Sequence, residues 1–237
     1  DYDAYTRPEV FVLEVMGRDA GWLAASCCIT GDVDLLVLPE VAFDRDAFLA
    51  EVRAKFEATG SCYIVVSEGA RYADGTYLSA GDTAHDGFAH AVLGGAAQTV
   101  KQMIVDTGIV PRGVVQDLSR AARSSNFAQS LVDVTEAYDL GMSAHMRSAD
   151  PAFTGQVVGI RRNPEAAAEG RYEAELFAGP ASEFANFVKR FPAEWILPNY
   201  QGITPEAVAY FRPLIEGEPK LVMKGGIPAT IVPFNKR

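Results

Sequence analysis

The chain has 237 residues, 49% of them hydrophobic and 22% charged, so it can bury a sizeable core in one or two domains. Its formal net charge of -10 argues against nucleic acid or an anionic membrane surface as the main partner, because both would repel it. No apolar run is long enough for a membrane span, which predicts a protein without a membrane partner.

The first predicted strand ends in a cluster of polar residues. Apolar residues 10–13 are typical of a strand, and Glu14, Met16, Gly17, Arg18 and Asp19 follow just before a helical pattern over residues 20–30. In an open α/β sheet, ligands bind beyond the carboxyl ends of the strands. The junction is therefore a candidate site, although Glu14 and Arg18 pairing across a turn would also explain it.

The next elements repeat the same strand and helix period. A strand over residues 33–38 ends at Pro39, and Asp44 is a predicted cap for a helix that Gly60 stops. A further strand over 62–66 ends in Ser67, Glu68 and Gly69. The order of elements predicts an α/β fold with a mostly parallel sheet flanked by helices.

The rest of the chain is predicted from periodicity, caps and turn residues. Residues 71–87 are predicted to be a long segment with little regular structure, and residues 164–170 an exposed turn. The remaining predicted elements are helices over 93–106, 130–145 and 182–190, a short helix opened by Thr204 and Pro205, and strands over 113–118, 156–160, 172–177 and 229–232.

Arginines near predicted strand ends suggest that the site binds a phosphate, because the planar guanidinium donates two hydrogen bonds to one anion. They are Arg18, Arg112, Arg120 and Arg123. Glu68 is placed to accept hydrogen bonds from sugar hydroxyls. The simpler alternatives are solvated surface charges for the arginines and a turn or helix cap for Glu68.

Neither the cysteines nor the histidines have the spacing of a metal site. Cys27, Cys28 and Cys62 are an odd number without a metal-binding pattern, and we interpret them as buried thiols of a protein in the cytoplasm. The group Asp82, His85, Asp86 and His90 matches no established ligand pattern either. We therefore assign no metal ligand.

Seven stretches, in the same order, resemble the phosphofructokinase family, and within it the pyrophosphate-dependent branch. They are EVMGRDAGWLAA (14–25), LPE (38–40), VSEGA (66–70), DGFAHAVLGG (86–95), SRAAR (119–123), VDVTEAYDLG (132–141) and PLIEGE (213–218). The resemblance implies the three-layer fold of that family and phosphorylation of fructose 6-phosphate at its 1-hydroxyl.

The resemblance also implies roles for single residues. Met16 and Gly17 would contact substrate through their backbone, Arg18 would neutralise charge near the transferred phosphoryl group, and Glu68 would hold sugar hydroxyls. Arg120 would bind the 6-phosphate. Mg²⁺ would be held with the phosphoryl donor, which is pyrophosphate in preference to ATP, and the enzyme would be a homo-oligomer or pair with a complementary chain.

Several positions depart from the family pattern. Glu9 stands where the family commonly has a basic residue, and Asp117 and Ser119 replace residues that precede the phosphate-binding arginine. Arg123 also has the better spacing to Asp133, so Arg120 and Arg123 compete for the 6-phosphate.

The family's donor loop and catalytic aspartate motif are absent from this sequence. We therefore expect a carboxyl-terminal portion, with a sugar-phosphate lobe over 1–125 and a region over 126–237 that would pack on the absent half. Such a chain should be inactive alone. The alternatives are a non-catalytic sugar-phosphate-binding or regulatory subunit, and a degenerate paralogue kept for assembly.

Overall fold

The computed structural model describes residues 8–79, 94–125 and 128–229. They form two compact units, one of residues 1–123 with 188–211 and one of residues 124–187 with 212–237. The structure thus groups residues 188–211 with the first unit, whereas the boundary predicted from sequence placed them in the second region. The packing of residues 126–237 on an absent half stays a prediction.

The first unit is built on a four-stranded sheet in the order β2-β3-β1-β4, with every neighbouring pair parallel. The predicted α/β class is confirmed. The strands are β1 (Glu9–Val15), β2 (Leu35–Val37), β3 (Ser61–Ser67) and β4 (Gly113–Asp117). The helices are α1 (Trp22–Ser26), α2 (Arg45–Thr59), α3 (Ala96–Asp106) and α4 (Ser119–Ser124). Residues 188–211, the returning segment, add helix α8 (Pro205–Phe211).

Helix α2 shows how local sequence sets these boundaries. The Asp44 carboxylate accepts hydrogen bonds from the backbone N–H groups of Asp46 and Ala47, and Gly60 ends the helix in the left-handed conformation with φ of 77°. The buried face of α2, which includes Phe48 and Val52, belongs to the same core cluster as the buried residues of β1 and β3. Both predicted ends of this helix are confirmed.

The returning segment packs on the rest of the first unit through aromatic contacts and through hydrogen bonds to one carboxylate. Phe191 is buried and packs edge-on against Trp22, while its ring stacks on that of Phe211. The Glu40 carboxylate accepts from the backbone N–H of both Gly21 and Phe191. One acidic side chain therefore ties the start of α1 to residues far along the chain.

The second unit contains a long helix and antiparallel strands. Its helices are α5 (Leu131–Arg147), α6 (Pro164–Ala168) and α7 (Ala181–Phe184), and its strands are β5 (Gln156–Arg162), β6 (Ala174–Pro180), β7 (Met223–Lys224) and β8 (Ile227–Pro228). β5 pairs with β6 and β7 with β8. Ser130 caps α5, the helix predicted over 130–145, by accepting from the Asp133 N–H.

Two predictions in the second unit are wrong. Residues 164–168 form helix α6 rather than an exposed turn, because Asn163 caps the first N–H groups and Pro164 favours the first helical position. The helix predicted over 182–190 ends at Phe184, since Ala185 is extended and Asn186 has a φ of 64°.

The remaining predictions concern the three cysteines, the last strand, the histidine-containing stretch and membrane spans. All three thiols are free; Cys62 is buried and the other two are half-buried. Burial raises the pKa of Cys28 and of Cys62 to about 12. The last predicted strand, beyond residue 229, and the histidine-containing stretch 82–90 lie outside the described residues. Within the described ranges, no helix is long and apolar enough to cross a membrane.

Candidate active site at the carboxyl edge of the sheet

Two turns meet where the parallel strands β1 and β3 end. Val15 pairs with Ser67 at the last register position, so the turn that starts at Met16 lies beside the turn that starts at Glu68. Because both strands run in the same direction, both turns leave the sheet at its carboxyl edge. The structure therefore brings Met16, Gly17, Arg18 and Glu68 together at this edge.

Four hydrogen bonds lock the two turns to each other. The Gly17 N–H donates to Glu68 Oε1 at 3.1 Å, and the buried Ser67 hydroxyl donates to the Gly17 carbonyl at 2.6 Å. The Glu68 N–H donates to the Val15 carbonyl and the Gly69 N–H to the Gly17 carbonyl, at 3.0 and 3.2 Å. Glu68 is thus fixed against the backbone beside Arg18.

The glycines of the two turns allow this close approach. Gly17 has a φ of 151°, and a Cβ there would lie 2.5 Å from the Ser67 hydroxyl and 2.7 Å from the Ala20 carbonyl oxygen. A Cβ on Gly69 would overlap the carbonyl group of Arg18. A side chain at either position would push the turns apart.

Arg18 is held by a carboxylate next to it in sequence. Its Nε donates to Asp19 Oδ2 at 2.9 Å, and each side chain is about one third exposed. Arg71 donates from Nη2 to the Arg18 carbonyl at 3.0 Å and contacts Asp19 Oδ1 at 3.4 Å. The hydrogen bond from Arg18 is the main cause that lowers the pKa of Asp19, so this carboxyl stays ionised near neutral pH.

Glu14 hydrogen-bonds to the start of α3, a contact different from the pairing with Arg18 that the sequence suggested. It is buried at the end of β1, and its carboxylate accepts from the Gly95 and Ala97 N–H groups at 3.0 and 2.8 Å, at the start of α3. Burial raises the pKa of Glu14, while the two backbone hydrogen bonds lower it. Glu14 therefore fixes α3 to the sheet.

The three remaining candidate arginines do not share one position. Arg112 precedes β4 and lies at the amino edge, about 16 Å from the carboxyl edge for a strand of this length. Arg120 and Arg123 both belong to α4, which starts at the carboxyl edge where the Leu118 N–H donates to the Glu14 carbonyl. Arg123 is exposed, and the side chain of Arg120 lies outside the description.

The described residues do not fit a Mg²⁺ site of their own. Across residues 8–79, 94–125 and 128–229, no group of three or more His, Cys, Asp or Glu side chains could hold a metal ion.

Sequence reasoning missed two residues of this site. In the sequence, Asp19 is marked only as one of the polar residues after the first strand, and Arg71 only as the start of a segment with little regular structure. A signal was present, because an acidic residue directly follows Arg18 and a basic one lies two positions after Gly69. Only the structure shows that both belong to one cluster.

Comparison with known proteins decides the family. Residues 2–145, more than half of the chain, match the family described as Phosphofructokinase. The chain belongs to the phosphofructokinase family.

Relatives within the family are similar over nearly the whole of this chain. The pyrophosphate–fructose 6-phosphate 1-phosphotransferase of Halomonas elongata is 39% identical over 94% of the chain, and that of Methylococcus capsulatus is 38% identical over 95%. The crystal structure of a pyrophosphate-dependent phosphofructokinase from Marinobacter aquaeolei matches 100% of the chain with a TM-score of 0.77 and 26% identity.

The chain spans about half the length of these proteins. It covers 53% of each of the two phosphotransferases and 58% of the Marinobacter aquaeolei chain. The predicted family and branch resemblance is confirmed.

Proposed function

We propose that this chain forms the fructose 6-phosphate side of the active site of a pyrophosphate-dependent phosphotransferase that phosphorylates the sugar at its 1-hydroxyl. The observation that carries the proposal is the locked pair of turns, in which Glu68 and Arg18 are fixed side by side at the carboxyl edge of the sheet. The names of the relatives support the substrates and favour pyrophosphate over ATP as donor.

Glu68 has the chemistry to hold sugar hydroxyls. Its Oε1 accepts from the Gly17 N–H, and within the described part of the chain no hydrogen bond to Oε2 is present. A carboxylate oxygen held in this way accepts hydrogen bonds from hydroxyl groups without first being reoriented. Glu68 therefore binds the sugar in our proposal.

Arginine side chains bind or neutralise the phosphoryl groups in our proposal. Arg18 neutralises negative charge that builds up as the phosphoryl group moves, and the half-buried turn residues Met16 and Gly17 contact the substrate through their backbone. Arg120 takes the 6-phosphate, with Arg123 on the same helix as its competitor. Arg112, at the opposite edge, serves this site only from a neighbouring copy or chain, which makes an oligomer part of the proposal.

The donor side is supplied by another half or a complementary chain, so the chain alone is inactive. Mg²⁺ would enter with the donor, and no residue of this chain is assigned to it. A cytoplasmic location also belongs to the proposal, supported by the three unpaired thiols.

A substitution at Glu68 tests the proposal in the complete enzyme, meaning this chain together with the polypeptide that supplies the donor side. Glu68→Gln should lower kcat/KM for fructose 6-phosphate by about 10- to 100-fold, because a charge-assisted hydrogen bond to the sugar becomes a neutral one. Glu57→Gln, the same change at an exposed position of α2, is the matched control and should have no effect. Equal kinetics of the two variants would remove Glu68 from the site.

The second candidate function is a non-catalytic sugar-phosphate-binding or regulatory subunit. The buried Glu9 favours it, since the family commonly has a basic residue at this position. This reading predicts that the assembled protein binds fructose 6-phosphate and lowers or raises a partner's rate, while Arg18→Ala leaves turnover unchanged.

A further inference from the structure

Arg71 joins the two turns of the candidate site through three acceptors. Its Nε donates to the Gly69 carbonyl at 3.3 Å, and its Nη2 donates to the Arg18 carbonyl at 3.0 Å and to Asp19 Oδ1 at 3.4 Å. One planar guanidinium thus contacts the backbone of both turns and the carboxylate that binds the Arg18 side chain.

Arg71 is itself restrained. Its guanidinium lies over the Tyr77 ring, 4.9 Å from the centroid, and residues 71 and 77 form an antiparallel bridge. The Tyr72 N–H donates to the Thr76 carbonyl in the same turn. The position of Arg71 therefore depends on a short hairpin-like turn rather than on a free side chain.

Asp19 connects Arg71 to Arg18 because its carboxylate contacts both side chains. One carboxylate oxygen contacts Arg71 and the other accepts from Arg18 Nε at 2.9 Å. The hydrogen bond at Nε restrains rotation of the Arg18 guanidinium about the last flexible bond of the side chain. The series Tyr77, Arg71, Asp19, Arg18 is thus a continuous set of contacts.

We propose that Asp19 and Arg71 are positioning residues, which fix the direction of the Arg18 guanidinium before substrate binds. The role assigned to Arg18 rests on the proposed function, whereas the contacts that hold it do not. An arginine that is already oriented loses less conformational freedom when it meets a phosphoryl group, so both residues affect the rate without touching substrate.

The first test measures the Arg18 side chain in the full chain by NMR, with ¹⁵N-labelled arginine and Arg18→Lys to assign the Nε–H signal. Asp19→Asn and Arg71→Lys should each shift this signal and make its exchange with water about threefold faster or more, because a partly exposed charge-assisted contact is weakened. Asp106→Asn and Arg53→Lys repeat the same changes at exposed positions of α3 and α2 and should leave it unaltered. A signal that either test variant leaves unchanged overturns the proposal.

The second test separates the positioning role from the function of the site. In the complete enzyme, Asp19→Asn and Arg71→Lys should lower kcat more than they raise KM for fructose 6-phosphate, with the control variants unaffected. A rise in KM alone overturns the positioning role. If the NMR result holds but Arg18→Ala leaves turnover unchanged, the proposed role of Arg18 in transfer fails while its restraint by Asp19 and Arg71 stands.

Discussion

Gly69→Ala tests whether the candidate site depends on the close approach of its two turns. The added methyl group would overlap the carbonyl of Arg18, which is backbone and cannot rotate away as a flexible side chain would. The turns must separate, and the hydrogen bonds that cross between them are then weakened or lost. Three of these four bonds have a backbone N–H as donor: Gly69 N–H to the Gly17 carbonyl, Gly17 N–H to Glu68 Oε1, and Glu68 N–H to the Val15 carbonyl.

The expected loss is large compared with the stability of an ordinary domain. Each hydrogen bond contributes about 1 kcal/mol, so losing three costs about 3 kcal/mol, out of a total of about 5–15 kcal/mol. Gly60→Ala is the control, because φ there is 77° and a Cβ would meet nothing within 4 Å. That change costs about 1–2 kcal/mol through the left-handed conformation alone.

Urea unfolding followed by tryptophan fluorescence measures the difference. Trp22 and Trp195 are the two tryptophans of the chain, and both belong to the first unit, so the signal reports on the unit that carries the site. Gly69→Ala should lower the midpoint more than Gly60→Ala at an unchanged m-value. A loss no greater than that of Gly60→Ala would refute the argument that the turns are packed in contact.

Three further predictions concern Glu14, Gly141 and the exposed apolar residues of α5. Burial raises the pKa of Glu14 above its ordinary 4.5, so the folded state holds this proton more tightly and the contribution of Glu14 to stability falls as pH rises above 4.5. The difference in stability between wild type and Glu14→Gln, from urea titrations, should therefore decline with rising pH; a constant difference contradicts this. Gly141→Ala should raise the melting temperature followed by circular dichroism, with a gain of about 1 kcal/mol, because Gly141 lies inside α5 and a Cβ there meets nothing within 4 Å; a lower melting temperature would refute it. Tyr138, Met142 and Met146 form an exposed apolar stripe along α5, so the chain should self-associate and Met146→Glu should reduce light scattering; equal scattering by both proteins would show that the stripe is not involved.

Much of the first unit was predictable because its signals are local. Asp44 and Gly60 specify the ends of α2, because Asp is a common N-terminal cap and Gly a common C-terminal stop that the sequence shows directly. The polar residues after β1 and β3 indicated the carboxyl edge, since parallel strands place their ends together. The position of Glu68 beside Gly17 follows from the same rule.

The rest depends on contacts between distant residues. Nothing near Glu14 in sequence shows that its carboxylate binds the start of α3, more than eighty residues away. Arg71 belongs to the site because it hydrogen-bonds to the backbone of both turns, which lie close together at Gly69 and Arg18, and no periodic pattern in the sequence encodes these contacts. Residues 188–211 join the first unit through Phe191 and Glu40, although they follow β5 and β6 of the second unit in sequence.

The central claim is tested most directly by phosphoryl transfer in the complete enzyme, with fructose 6-phosphate as acceptor and either pyrophosphate or ATP as donor. Formation of fructose 1,6-bisphosphate is followed in both reactions, with the chain alone measured beside them. We predict turnover with pyrophosphate in preference to ATP, its loss in Arg18→Ala, and no turnover by the chain alone. No turnover by the complete enzyme with either donor, or full turnover after Arg18→Ala, would contradict the account.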